Sequence, residues 1–268
     1  MSGIIQSVSD LLGEIPIRDL FSGSLILLTI ILLGLQRTGL VQDVLWGAGR
    51  ALLQLLLMGI ILAYAFKVQG LLWQAGFLLA MGLFAAQTGQ GRLKDLPGGF
   101  WIAYLSVMVG AMAGLIPLVL MGIIKPIPQE TIPAGGMAIG NALNGVILAL
   151  ERFGSDVSSQ WERVEAAFAL GANRSQVSWI FRKHAFSAGT LSMRNNMKIV
   201  GVIQIPGTMV GMILAGASPM RAAFMQLAIL YMLIFAISIS VSVALATGAR
   251  GYLRWRPPVH FSPSSRSR

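Results

Sequence analysis

The chain has 268 residues, 55% of them hydrophobic and only 11% charged, with a mean hydropathy of +0.74 and a net charge of +10. Soluble domains carry about 25% charged residues, and ionised groups are costly in hydrocarbon. The composition therefore excludes an ordinary soluble enzyme and predicts an all-α, polytopic membrane bundle.

Cysteine is absent, so there is no disulfide framework, no thiolate nucleophile and no cysteine metal site. The basic balance does not point to nucleic acid, because Lys and Arg collect in the cytoplasmic loops of membrane proteins. No Lys or Arg precedes Arg18 and no small-residue cleavage site follows an apolar core, so the start does not read as a secretory signal.

In chain order, residues 1–19 come first. Ile4, Val8, Leu11 and Ile15 repeat at helical spacing, which fits either a short amphipathic helix at the interface or a frayed tail. A span needs about 20 apolar residues. Candidate spans cover residues 21–36, 45–66, 71–87, 100–124, 132–150, 199–217 and 222–249 within a permease domain of 20–250. The sixth is broken by Pro206-Gly207, and six spans remain if it is re-entrant. A basic tail, 251–268, reads as disordered and could touch anionic headgroups.

Residues 151–198 form the long loop, and its most polar stretch, 157–198, reads as helix, glycine turn, helix. Ser159 and Glu162 fit a capping box. Trp161, Val164 and Phe168 share one helical face. Gly171 sits where a left-handed residue ends the first helix. Asn173 can cap the second, whose apolar face is Val177, Ile180 and Phe181. With this loop inside and seven spans, only Arg18, Lys67, Lys125 and Arg221 of the 20 basic residues fall outside. The positive-inside rule then places the N-terminus out and the C-terminus in the cytoplasm.

Enzyme constellations are missing. His184 and His260 sit near no carboxylate cluster. No G-x-x-x-x-G-K-[ST] occurs, so the chain does not hold ATP through a P-loop, and no cofactor is expected. Three intramembrane features remain. Arg50 with Gln54 one turn on is either a snorkelling interface arginine or a bundle-facing one that lines a path. Gly136 and Gly140, and the face through Asn141 and Gly145, fit close helix packing. Asn141 and Asn144, three apart, alternatively line a polar path.

Gln204, Pro206, Gly207, Thr208 and Met209 mark a plain kink or an unwound segment whose freed carbonyls meet substrate. Met209 and Met212 suit soft metals or simply fill gaps. The loop itself fits docking to a partner protein, packing on itself, or a helix-turn-helix DNA reader. The last is disfavoured because no compact domain surrounds it.

At the loop, Glu165-Ala166-Ala167 followed by Gly171 has the E-A-A-x-x-x-G spacing of the coupling loop of ABC-transporter permeases. Several further motifs in order are similar to the FetB-type permeases. They are residues 46–51 with Gln54, then 132–137 with 140–142, 170–172, 198–201, Pro206-Gly207 with Met209, and 213–219. The likeness covers roughly residues 40–250. The family pattern at the proline reads closer to L-P-G-M-M-T-G-Q; here Ile205, Thr208, Val210 and Met212 stand at four of those positions.

The family includes bacterial iron-export permeases and plant aluminium-tolerance permeases. The resemblance implies a multi-pass inner-membrane permease subunit, acting as a homodimer in the lipid bilayer with a separate ABC ATPase subunit at Glu165, Ala166, Ala167 and Gly171. It implies iron export in metal homeostasis, or movement of UDP-glucose or another organic solute.

Overall fold

The computed structural model describes residues 23–254 except Thr38 and Asp95. The predicted interfacial segment 1–19 and the tail from residue 255 lie outside the described residues. The chain divides into two compact units, Met1–Lys67 and Val68–Arg268.

The first unit is a helical hairpin. α1 (Gly23–Leu35) and α2 (Val41–Ala65) are joined by a tight connection in which Arg37 and Gly39 take positive φ. Both helices are apolar around most of their circumference. Leu25, Leu28, Ile31, Leu45, Leu52 and Leu55 are all exposed. A helix that is hydrophobic all round belongs in a core or a bilayer, and the 25 residues of α2 reach about 37 Å, enough to cross one.

Among the described residues the second unit is a bundle of seven helices: α3 (Leu71–Gln90), α4 (Gly99–Leu120), α5 (Pro128–Ser159), α6 (Trp161–Ala169), α7 (Arg174–Ile199), α8 (Gly207–Leu214) and α9 (Pro219–Arg254). Among the described residues α2, α3, α4, α5 and α9 are long and apolar enough to cross a membrane. Within this unit α9 packs against α4, α5 and α7, and α5 packs against α3, α4 and α7.

Small residues set these approaches, as they do where lipid leaves no hydrophobic drive between helices. A Cβ on Gly189 of α7 would lie 2.6 Å from the Gly145 carbonyl of α5, and one on Gly110 of α4 would meet the Ser240 hydroxyl and the Ala236 carbonyl of α9. The glycine of α5 that meets a neighbouring backbone is thus Gly145, while Gly135 packs on Leu78. Gly140 faces open space and Gly136 meets only the flexible end of Met81. Polar ties reinforce the bundle. The Thr131 hydroxyl of α5 donates to Gln74 Oε1 of α3 at 2.6 Å in a buried site, and Arg92 pairs with Glu151 at 2.8 Å.

Three sequence expectations change. Ser159 does not cap a helix: it is the last residue of α5, its hydroxyl donates to the Asp156 carbonyl, and α6 starts after Gln160 with no side-chain cap. The helix expected after Gly171 is not a short one on the surface, and Ile180 of its expected apolar face is exposed. It is α7, a 26-residue helix that buries Val177, Phe181, Ala185, Gly189 and Met193 against the bundle. Residues 199–217 are not one span. The chain leaves the helix at Val200, turns at Gly201 with φ +89°, and forms only the eight-residue α8 after Pro206. Proline cannot donate within a helix and glycine readily takes positive φ, so a continuous helix is broken at both points.

Candidate coupling helix and translocation cavity

α6 follows α5 after a single residue and is pinned from below. Val164 is 1% exposed, while Trp161 and Phe168 pack against the core. The face predicted from spacing is therefore the inward one. The Trp161 indole N–H donates to Glu165 Oε1 at 2.7 Å, one turn on. This clasp holds an otherwise exposed carboxylate in one orientation.

The helix ends in a Schellman motif. Gly171 N–H donates to the Phe168 carbonyl and Ala172 N–H to the Ala167 carbonyl, with Gly171 at φ +86°. Asn173 then caps α7 in a capping box. Its side chain accepts from Gln176 N–H at 2.9 Å, and Gln176 Oε1 accepts from Asn173 N–H at 2.8 Å.

The outward surface is Glu162, Glu165, Ala166, Ala169 and, at the apex, Leu170, which is 90% exposed. Of the expected coupling residues, Glu165, Ala166 and Gly171 lie on this surface, and Ala167 is half-buried beneath it. Leu170 did not figure as a contact residue. Its signal was an apolar side chain directly before a left-handed glycine, where it has no helix face to turn inward.

The second site lies at the break between α7 and α9. A cavity of about 360 Å³ is lined by Val200, Gly201, Pro206, Met209, Phe224 and Gln226 together with Met220, Ala223, Leu227 and Leu230. Gln226 of α9 is 7% exposed, and the Thr208 hydroxyl donates to its side-chain oxygen. The structure thus brings Pro206, Thr208 and Met209 to one place, while Gln204 and Gly207 flank it and are exposed. Gln226 was missed; its signal was a lone amide inside the apolar stretch 222–249.

Asn141 and Asn144 do not line this cavity. Asn141 is half-buried and donates to the Met137 carbonyl of its own helix, and Asn144 is exposed on the same face of α5. Arg50 and Gln54 belong to the first unit, on exposed positions of α2. No group of His, Cys, Asp and Glu among the described residues could hold a metal ion.

Long apolar helices, a bundle closed on small residues and a short exposed helix ending in a Schellman motif define a multi-pass helical membrane protein. Comparison with known proteins places it further: the sequence pattern of the Uncharacterised protein family (UPF0014) matches residues 18–253, and the chain belongs to that family. It is similar to the probable iron export permease protein FetB of Escherichia coli, 33% identical over 224 residues, covering 82% of this chain and 85% of the relative. It is similar to the protein ALUMINUM SENSITIVE 3 of Arabidopsis thaliana, 31% identical over 215 residues, 80% and 79% of the two chains. It is also similar to the UPF0014 membrane protein STAR2 of Oryza sativa, 33% identical over 227 residues, 85% and 77% of the two chains. No solved structure matches the chain. This is a membrane permease family, not a family of enzymes.

Proposed function

We propose that the chain is the membrane subunit of an ABC transporter that exports iron in metal homeostasis, driven by a separate ATPase subunit. The observation that carries this reading is α6, an E-A-A-x-x-x-G helix anchored by Val164 with Ala166, Ala169 and Leu170 exposed. Small and apolar side chains on a rigid helix suit insertion into a partner's groove. The cargo follows the E. coli relative, which is named a probable iron export permease.

One chain offers one such helix, so a homodimer with two ATPase copies is the simplest assembly. In this reading the α6 side is cytoplasmic, the N-terminus is outside, the C-terminus is inside, and the protein sits in the plasma (inner) membrane. Nucleotide-driven movement of α6 passes through α7 to the cavity at Pro206, Thr208 and Met209. Gln204 and Gly207 at the edge of that cavity, and Asn141 and Asn144 further along α5, belong to the same polar path in this reading. The apolar cavity with one buried amide, and no metal-ligating cluster among the described residues, favours a second reading in which the cargo is an organic solute.

Co-purification with a small P-loop protein encoded beside this chain tests the machine. A Glu165→Lys, Gly171→Pro variant loses the partner while still inserting. Retained association and transport sink the coupling role. ATP-dependent movement of iron, against that of UDP-glucose, in vesicles holding both subunits tests the cargo. Because the chain has no cysteine, single cysteines at Leu170 and Lys125 report sidedness directly. Labelling of both from the same face overturns the topology.

A further inference from the structure

A second cavity, of about 500 Å³, opens between α7 and α9 and is lined by Trp179, Arg182, Lys183, Phe186, Ser242 and Leu245. Its depth follows from the helices. The apolar stretch 222–249 of α9 is centred near residue 236, and Leu245 lies about nine residues, or about 14 Å, beyond that centre. Half the hydrocarbon thickness is about 15 Å, so the cavity sits where acyl chains meet headgroups. α7 lies beside α9 with Gly189 against Val241. Phe186 therefore sits on the deep side, with Arg182 and Lys183 one turn shallower and Trp179 at the rim.

Polarity along the cavity runs from apolar to cationic toward the α6 end. Arg182 Nε is buried and has no hydrogen-bond partner. Its guanidinium lies 6.0 Å from the Trp179 ring centre. Among the described residues no carboxylate lines the cavity, and neither Arg182 nor Lys183 takes part in an ion pair. A buried guanidinium N–H left unpaired is costly, and its planar fork matches a phosphate diester. An exposed tryptophan at this level is the usual interface anchor; Trp179 is 72% exposed.

We propose that this cavity binds an anionic phospholipid of the leaflet on the α6 side. The phosphate is taken by Arg182 and Lys183, and an acyl chain lies along Phe186 and Leu245. Charge complementarity and the apolar-to-cationic gradient select this occupant over a soluble anion, which would leave the apolar wall uncovered. A lipid here touches both α7 and α9, so it ties the helix that follows α6 to the longest helix of the bundle.

Native mass spectrometry of the full chain, titrated with phosphatidylglycerol or phosphatidylcholine, tests this. The unmodified protein retains phosphatidylglycerol with at least about tenfold preference, which corresponds to about 1.4 kcal/mol. The Arg182→Gln, Lys183→Gln pair abolishes that preference, Arg182→Lys reduces it about threefold, and Lys125→Gln, far along the sequence, leaves it intact. Arg182→Lys keeps the charge and the stem, so it reads the site even where the double variant fails to fold. Equal retention by all variants overturns the proposal. Displacement of the lipid by millimolar glycerol phosphate overturns it in favour of a soluble anion. A change of oligomeric state in the variants without any change in lipid preference overturns it in favour of a second copy of the chain.

Discussion

α6 and α8 are near twins that are held very differently. They have nine and eight residues, and each ends in a Schellman motif on a left-handed glycine, Gly171 at φ +86° and Gly216 at φ +92°. α6 has a buried anchor in Val164, an intrahelical Trp161–Glu165 clasp and a capping box at the next helix start. α8 has no buried residue and enters from Pro206; like α6 it starts without a side-chain cap, and the side-chain tie it makes is from Thr208 to Gln226 of α9. The same local turn chemistry thus makes one element fixed and the other loosely seated. Few buried contacts mean low local opening free energy, so α8 is the part of the pair suited to moving while α6 is suited to bearing load.

That contrast can be broken most severely at Gly189. A Gly189→Val side chain meets the Gly145 carbonyl and Ala149, so α7 is forced off α5 and α6 loses its support. Overpacking of this kind costs about 1–3 kcal/mol or more, and gel filtration of the purified protein should show loss of the monodisperse species. Next is Val164→Ala, which leaves a void under α6 and lowers stability by about 2 kcal/mol, read as a fall in midpoint in a thermal melt in detergent. Asn173→Ala removes the cap of α7 and costs about 1 kcal/mol in the same assay. Smallest in stability is Met209→Ala on α8, within about 0.5 kcal/mol of the parent, yet it alters transport in vesicles if the cavity at Pro206 is on the path. Hydrogen exchange sharpens the comparison: amides of residues 211–214 should exchange faster than those of residues 165–169. Equal protection would falsify the idea that the two helices differ in hold.

Much of α6 was legible because its signals are local. Spacing gave the inward face of Trp161, Val164 and Phe168, and residue chemistry gave Gly171 and Asn173. Ser159 misled because a serine three residues before a glutamate can equally well close the preceding helix, where its hydroxyl bonds back to a carbonyl. The length and burial of α7 were hidden because hydropathy averages over the wheel. Arg182, Lys183, Arg194 and Lys198 mask Val177, Phe181, Ala185, Gly189 and Met193, which recur every four residues on the buried face. Gln226 and Leu170 gain meaning only from partners and exposure, which no periodicity encodes.

The backbone contact between Gly145 and Gly189 has a mechanical consequence. With no side chain between them, the backbones of α5 and α7 meet directly at their crossing, so the two helices move together there. α7 is a connecting rod 26 residues long, about 39 Å from end to end. If a partner pushes α6 as proposed, α7 carries the displacement from Arg174 towards Ile199, and the first turn beyond it is Gly201.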